Sequence, residues 1–233
     1  MIEALIMLDL DGTLIDTSQL YFQGVPMIAK RHLGIDVTDR DIIPMWGQFA
    51  RKFFAHFAES VDRPDEELID RMYAEFSVFY NEMHNRLSTA YDGVCELLPA
   101  MREAVHAVGV VTTRPTSRSA PVLEMSWAKD VDFFVWGDLV KRNKPHPDGI
   151  EFAIREHAVD GGVCVYVGDN KHDIEAAQAC QRRVVSVAAL WGAMDRDGLM
   201  AARPDFSFGT FRDFAHWLLE GDFSGSMPAS LNI

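Results

Sequence analysis

Two carboxylates stand on alternate residues near the start of the chain, directly after an apolar run at residues 4–8. Side chains of a strand alternate between its faces, so Asp9 and Asp11 would leave the strand's end on the same side, while Gly12 lets the chain bend away. Such a pair suits a metal-assisted nucleophile with its own acid/base partner. An isolated Asp-x-Asp more often opens a loop or caps a helix, so the rest of the chain must decide.

Further polar residues that could take part in chemistry follow other apolar runs or precede a helix. They are Thr112 and Thr113 after residues 107–111, Lys144 in a Lys-Pro-His-Pro segment, and Asp169 with Asp173 after residues 163–167. Taken singly, they have structural explanations: a threonine that ends a strand, a solvated basic turn and a helix N-cap. Their order along the chain, together with the first pair, is what marks a resemblance to one family.

The elements that must position these residues are short Val-rich runs separated by helix-length segments. The runs are residues 4–8, 107–111, 133–136, 163–167 and 184–188. This alternation predicts an α/β fold, with a Rossmann-like parallel sheet between two layers of helices. Ligands of such sheets bind beyond the carboxyl ends of the strands, which is where the polar residues lie.

Residues 16–87 read as helix throughout, which is too long for a loop and predicts an inserted α-helical cap domain. Its clearest helix follows Pro64, which we place in the first turn. Apolar residues recur along that helix at helical spacing and predict its buried face: Leu68, Met72, Phe76, Phe79, Met83 and Leu87. The catalytic core would then comprise residues 1–15 and 88–222, and a loosely ordered tail residues 223–233.

Composition excludes several classes of function. The formal net charge is −13 and no Lys/Arg cluster stands out, so we expect no nucleic-acid partner. The 3 cysteines form no Cys-x-x-Cys pair, which is typical of a reducing compartment and predicts a cytoplasmic protein. We find no signal peptide and no stretch of about 18 apolar residues, so we expect no membrane partner.

The run Asp-Leu-Asp-Gly-Thr-Leu-Ile-Asp-Thr from Asp9, and the later residues in their order, resemble the haloacid dehalogenase-like hydrolases, specifically their phosphatases. Trp191-Gly192 is similar to a late segment of phosphoglycolate phosphatase-type members. The acid at position 11 favours phosphoryl chemistry, because the dehalogenase branch lacks it. One mild departure is Asn170, where the family has Ser or Thr.

The resemblance implies a role for each site residue. Asp9 would attack phosphorus to form an aspartyl-phosphate, and Asp11 would protonate the leaving group and later activate water. Thr112 would donate a hydrogen bond to the phosphoryl group, and Lys144 would neutralise its charge. Mg²⁺ would be bound by Asp9, Asp169 and the Asp11 main-chain carbonyl. Asp173 would support the site.

For the substrate we expect a small phosphorylated metabolite, with phosphoglycolate as the first candidate and pyrophosphate as another. Gly47 would mark a turn of the cap facing the core, and the cap loop beside it resembles the family's specificity loop. The residues that could contact the substrate are Gln48, Arg51, Lys52 and Thr113. For Arg51 a surface charge is at least as reasonable, and Thr113 occupies a position where the family often has Asn. His146 and His172 read as ordinary exposed histidines. The protein would be a monomer or a homodimer.

Two other functions remain open at this point. One is a sugar-phosphate mutase of the β-phosphoglucomutase type, although those enzymes resemble one another in a hinge histidine where this chain has Tyr21. The other is a non-catalytic binding protein on the same fold. Loss of function would be expected to remove Asp9, Asp11, Lys144 or Asp169, and all four are present.

Overall fold

The computed structural model describes residues 2–220 and contains a six-stranded parallel sheet in the order β5-β4-β1-β6-β7-β8. The strands along the chain are β1 (Ile2–Leu8), β2 (Ile15–Asp16), β3 (Thr89–Ala90), β4 (Val105–Val111), β5 (Phe133–Val135), β6 (Val163–Gly168), β7 (Val184–Ala189) and β8 (Phe206–Phe208). The predicted α/β fold is confirmed. The edge strand β8 was not predicted, because three residues carry too little pattern to be recognised.

Helices cover both faces of this sheet and also form a separate layer. They are α1 (Ser18–Leu33), α2 (Asp39–Ile42), α3 (Ala50–Glu59), α4 (Glu66–Leu87), α5 (Val94–Ala104), α6 (Ala120–Leu123), α7 (Asp148–His157), α8 (Lys171–Gln178), α9 (Arg196–Ala201) and α10 (Phe211–Glu220). Among residues 2–220, none of the helices is both long and apolar enough to cross a bilayer.

The central strands end level with one another. Leu8 at the end of β1 pairs with Val110 of β4 on one side and with Val167 of β6 on the other. The last five residues of β1 are fully buried, since side chains on both faces pack under helices. The residues that follow these strands are therefore held at one edge of a rigid sheet.

Helices α1, α3 and α4 share a hydrophobic cluster that is distinct from the clusters under the sheet. Its buried members run from Leu20 to Tyr80, all within the segment predicted as a cap. The division into residues 1–15, 16–87 and 88–222 itself stays a prediction. The predicted tail at residues 223–233 lies outside the described residues.

Helix α4 differs from the prediction at its start and on its buried face. Asp65 is the N-cap and accepts a hydrogen bond from the Glu67 amide, so Pro64 lies before the helix and its placement in the first turn was wrong. The buried face begins as predicted at Leu68, Met72 and Phe76 but continues through Tyr80 and His84. Phe79, Met83 and Leu87 are only half-buried.

The two segments that connect the helical layer to the sheet pair with each other. Strands β2 and β3 form a two-stranded antiparallel ladder in which Ile15 lies opposite Ala90 and Asp16 opposite Thr89. We call residues 14–18 the first linker and residues 84–91 the second linker. A movement of the helical layer relative to the sheet must act on both.

Candidate active site

The edge of the sheet and the helical layer enclose a cavity. The predicted site residues that line it are Asp9, Asp11, Gln48, Thr112, Thr113, Lys144, Asp169 and Asp173. Most of them come from loops that directly follow β1, β4 and β6, where main-chain pairing fixes the strand ends. Arg51 is not among the lining residues.

Lys144 is at the centre of the charged part of the site. Its ammonium lies 2.8 Å from an Asp9 oxygen and 2.6 Å from an Asp173 oxygen, and it donates to the Tyr166 hydroxyl at 3.0 Å. Burial alone would lower the pKa of Lys144, but the charges of Asp173 and Asp9 outweigh it and raise the pKa well above its usual value. Lys144 is therefore a fixed cation beside Asp9.

Asp9, Asp169 and Asp173 are buried, with one carboxylate oxygen of each within 4.8 Å of the others. Burial and repulsion by Asp173 raise the pKa of Asp9 to about 7 against the attraction of Lys144. Burial and repulsion by Asp173 and Asp9 raise the pKa of Asp169. The Lys144 ammonium contacts Asp9 and Asp173, so the three carboxylates and this one cation leave two negative charges in excess when all are ionised. The donor set therefore fits a hard divalent cation.

The loop after β1 supports this acid group. The Thr13 hydroxyl donates to Asp169 at 3.3 Å, and a side chain at Gly12 would overlap the Asp169 carboxylate. Gly12 also has φ of +81°, which other residues rarely adopt. The Trp191 indole donates to the Thr13 carbonyl at 2.9 Å, so the loop after β7 supports the loop after β1.

Thr112 ends β4 inside the cavity and is 4% exposed. Its amide donates to the Val135 carbonyl at 3.0 Å, which continues the ladder with β5. Its hydroxyl accepts from the Arg114 amide at 3.1 Å, so the hydroxyl hydrogen is free to be donated to a ligand. Thr113 also lines the cavity, and its contact with a substrate stays a prediction.

The Asp11 carboxylate turns away from the acid group and pairs with Arg114 of the loop after β4. Burial would raise the pKa of Asp11, but the charge and hydrogen bonds of Arg114, helped by Thr17, lower it to about 2. Asp11 is therefore ionised in this arrangement. We predicted that Asp11 contacts the metal through its main-chain carbonyl alone. The Asp11 side chain lies outside the group of Asp9, Asp169 and Asp173.

The turn at Gly47 of the helical layer contacts Asn170, the residue after Asp169. The Asn170 amide donates to the Trp46 carbonyl at 3.0 Å, and a Cβ at Gly47, whose φ is +81°, would come within 2.6 Å of the Asn170 side chain. Asn170 also caps α8 by accepting from the His172 amide. The departure from Ser or Thr at this position thus supplies an additional contact between the two layers.

Arg51 points away from the cavity, contrary to the prediction that it could contact the substrate. Its guanidinium bonds Asp70 at 2.6 Å and also Glu66, both exposed acids of α4. Lys52 instead lines the adjoining outer cavity together with Gln48 and His172. His172 also lines the inner cavity, so its description as an ordinary exposed histidine was wrong.

Tyr21 lines the cavity from α1 and belongs to a ring cluster of the helical layer. Its ring centroid lies 5.2 Å from those of Trp46 and Phe76 and 5.6 Å from that of Phe53. The Tyr21 side chain is half-buried, and burial raises the pKa of its hydroxyl. The position that is a histidine in the mutases is here a neutral phenol.

Sequence reasoning missed several residues that hold the site together, chiefly Arg114, Tyr166 and Tyr80. Tyr166 donates to the Val111 carbonyl at 3.0 Å and receives a hydrogen bond from Lys144, so it connects two strand ends. A signal existed for it, since a tyrosine inside the apolar run 163–167 needs a partner for its hydroxyl. Tyr80 and Arg114 come together only in the folded chain.

Known proteins are similar to this chain in sequence and in fold. The family model for haloacid dehalogenase-like hydrolases matches residues 6–187. The chain is 30% identical to the pyrophosphatase PpaX of Bacillus pumilus over 207 residues, which cover 86% of this chain and 89% of that protein. The PpaX of Bacillus velezensis is 28% identical over 91% of this chain and 94% of its own length.

The fold is also that of solved structures. A predicted phosphoglycolate phosphatase of Haemophilus somnus superposes with a TM-score of 0.80 and 22% identity, over 93% of this chain and 98% of that one. A haloacid dehalogenase-like family hydrolase of Streptococcus pneumoniae superposes with a TM-score of 0.74 and 19% identity, over 93% and 98% of the two chains. These likenesses concern the fold.

The chain therefore belongs to the haloacid dehalogenase-like hydrolases, as the resemblance predicted. Within that family it is a phosphatase.

Proposed function

We propose that the protein is a Mg²⁺-dependent phosphatase of a small phosphorylated metabolite and that it works through an aspartyl-phosphate on Asp9. The observation that carries the proposal is the group of Asp9, Asp169 and Asp173, two of which, Asp9 and Asp173, contact the ammonium of Lys144. Asp9 and Asp169 would hold the ion with the Asp11 carbonyl. A bound Mg²⁺ would offset the repulsion between Asp9 and the phosphoryl oxygens.

In the first step an Asp9 oxygen attacks phosphorus while the bond from phosphorus to the leaving oxygen breaks. Lys144 lies against Asp9 and compensates charge that collects on the phosphoryl oxygens, and the free hydroxyl hydrogen of Thr112 is donated to one of them. A leaving oxygen that is too basic to depart as an anion takes a proton from Asp11. Asp11 is ionised beside Arg114, so it must first bind that proton from solvent.

In the second step water attacks the aspartyl-phosphate, and its proton passes to the Asp11 carboxylate. Phosphate leaves and Asp9 is restored. The ionised state of Asp11 beside Arg114 supports this base role directly. Asp173 also contacts Lys144 and keeps the ammonium in place through both steps.

For the substrate we consider phosphoglycolate and pyrophosphate. Each carries a second anionic group beside the phosphoryl group that is transferred. Gln48, Lys52, Thr113 and His172 line the part of the site where that group would lie. The two differ in the leaving group, because an alkoxide needs a proton from Asp11 much more than a departing phosphate does.

The partner is then a small molecule, and with a net charge of −13 we propose no nucleic-acid ligand. We also propose a cytoplasmic monomer or homodimer without a membrane partner.

The experiment that tests the proposal is phosphate release from a panel that contains phosphoglycolate, pyrophosphate and β-glucose 1-phosphate, with Mg²⁺ or with EDTA. We expect release that requires the metal and is concentrated on one of the first two compounds. Conversion of β-glucose 1-phosphate to the 6-phosphate would instead support the mutase. The absence of any turnover would support a non-catalytic protein.

A further inference from the structure

We propose that Arg114 is a positioning residue that holds the Asp11 carboxylate and ties its orientation to both linkers between the sheet and the helical layer. The acid/base group would then be correctly placed only while the helical layer is seated on the sheet. The inference rests on the proposed function for the role of Asp11, but the contacts that carry it are structural.

Arg114 is 2% exposed, and its guanidinium makes contacts in two directions. Towards the sheet edge, Nε donates to Asp11 Oδ2 at 3.2 Å and Nη2 donates to Asp11 Oδ1. Towards the helical layer, Nη2 also donates to the Tyr80 hydroxyl and Nη1 lies 3.3 Å from His84 Nε2. A planar guanidinium fork fixes the direction of each of these bonds, which a lysine could not do.

Asp11 receives further hydrogen bonds from the first linker and from α4. Its Oδ1 accepts from the Thr17 hydroxyl at 2.7 Å and from the Tyr80 hydroxyl at 3.0 Å. Thr17 belongs to the first linker, and Tyr80 belongs to α4, which leads into the second. The orientation of one carboxylate is therefore set by the sheet, the first linker and the helical layer together.

His84 extends the network to the end of α4. Burial and the nearby Arg114 charge lower the pKa of His84 to about 4, so its ring is neutral and Nε2 accepts from Arg114. The other nitrogen, Nδ1, then carries the proton and donates to the Ser88 hydroxyl at 3.1 Å. Ser88, which lies one residue before β3, in turn donates to the His84 carbonyl at 2.6 Å.

The network crosses the boundary that a movement of the helical layer would open. Arg114 and Asp11 follow strands of the sheet, whereas Tyr80 and His84 belong to α4. Separation of the two layers removes the Tyr80 bond from Asp11 and both α4 contacts from Arg114. Asp11 then keeps partners from the sheet and the first linker alone and gains freedom to rotate.

The first test uses two tyrosines of the same helix. Tyr80→Phe removes the hydroxyl that bonds Asp11, and Tyr73→Phe removes one that makes no hydrogen bond to Asp11 or Arg114 among the described residues. The substrates are phenyl phosphate and p-nitrophenyl phosphate, which differ in how much their leaving groups need a proton. The ratio kcat/KM reports the step in which the leaving group departs.

For Tyr80→Phe we expect kcat/KM to fall at least about tenfold on phenyl phosphate and less than about threefold on p-nitrophenyl phosphate. Tyr73→Phe should match the parent on both substrates. Equal losses on the two substrates, or no loss, would overturn the positioning role, because a purely structural defect does not distinguish leaving groups.

The second test does not depend on turnover. Hydrogen exchange is compared between the parent, Arg114→Lys and Tyr73→Phe, at residues 14–18 and 84–91. Arg114→Lys keeps the charge but loses the fork, so we expect exchange in both linkers to accelerate at least about fivefold, with no change in Tyr73→Phe. Acceleration confined to residues 112–118 would refute the coupling. If the parent hydrolyses no phosphate at all, the proposed function fails while this measurement still decides the coupling.

Discussion

The two halves of the site differ in what holds them. Asp9, Lys144, Asp169 and Asp173 all come from the sheet side, where main-chain pairing fixes strand ends and buried contacts fix the side chains. Asp11 is held by partners from the sheet, the first linker and α4. Bond formation at phosphorus is thus assigned to a rigid frame, whereas proton transfer depends on how the two layers sit together.

The largest expected effect lies in the rigid half. Asp9→Asn keeps the shape of the side chain and removes the attacking charge, so phosphate release should fall at least about 10³-fold. The melting temperature of the metal-free variant should be no lower than the parent's, because the amide is uncharged where burial and Asp173 disfavour a carboxylate. Asp36→Asn at an exposed ion pair is the matched control and should leave turnover unchanged. Parent-like turnover by Asp9→Asn would remove Asp9 from the mechanism.

A second change tests whether the Lys144 cation stabilises the buried carboxylates of the rigid half. Lys144→Met keeps the length of the side chain but leaves three buried carboxylates without a cation, so turnover should fall by about 10²-fold or more. Stability in EDTA should fall by about 3 kcal/mol, measured by urea unfolding. Adding Asp173→Asn should recover part of the stability and none of the turnover. Recovery of turnover would show that Lys144 acts only by balancing Asp173.

These two predictions concern residues whose importance the sequence already indicated. Because side chains alternate along a strand and ligands bind beyond strand ends, the polar residues after the runs 4–8, 107–111 and 163–167 had to meet. The structure adds the pairing partners of each group. Tyr166, for instance, lies inside one of those apolar runs, and its bond to Lys144 depends on the path of a distant loop.

The half that spans two layers could not be predicted in the same way. Arg114 meets Tyr80 and His84 across about thirty residues of chain, and no periodicity encodes that contact. The buried face of α4 was followed to Phe79 and Met83 because they are apolar, whereas the folded helix buries Tyr80 and His84, whose polar atoms find partners in the network. Apolar spacing therefore predicted that α4 packs, but not which face meets the site.

The smallest expected effect is at Lys52, which lines the outer cavity, and is measured against its neighbour Arg51, which does not. Lys52→Ala removes a cation that lines this cavity and should raise KM about threefold for the preferred substrate. Arg51→Ala should change KM less than about twofold, because Glu66 and Asp70 hold that side chain. Steady-state kinetics of the two variants decide the matter. A larger effect at Arg51 would mean that the loop rearranges when substrate binds.

The central claim is covalent catalysis by Asp9, and its most direct test is chemical trapping. The protein is mixed with substrate and Mg²⁺, quenched within milliseconds, reduced with borohydride and digested for peptide mass spectrometry. Reduction of an aspartyl-phosphate converts the aspartate to homoserine. The mechanism predicts homoserine at position 9, dependent on substrate and on metal. Steady phosphate release with unmodified aspartate at position 9, or with homoserine at position 11, would contradict it.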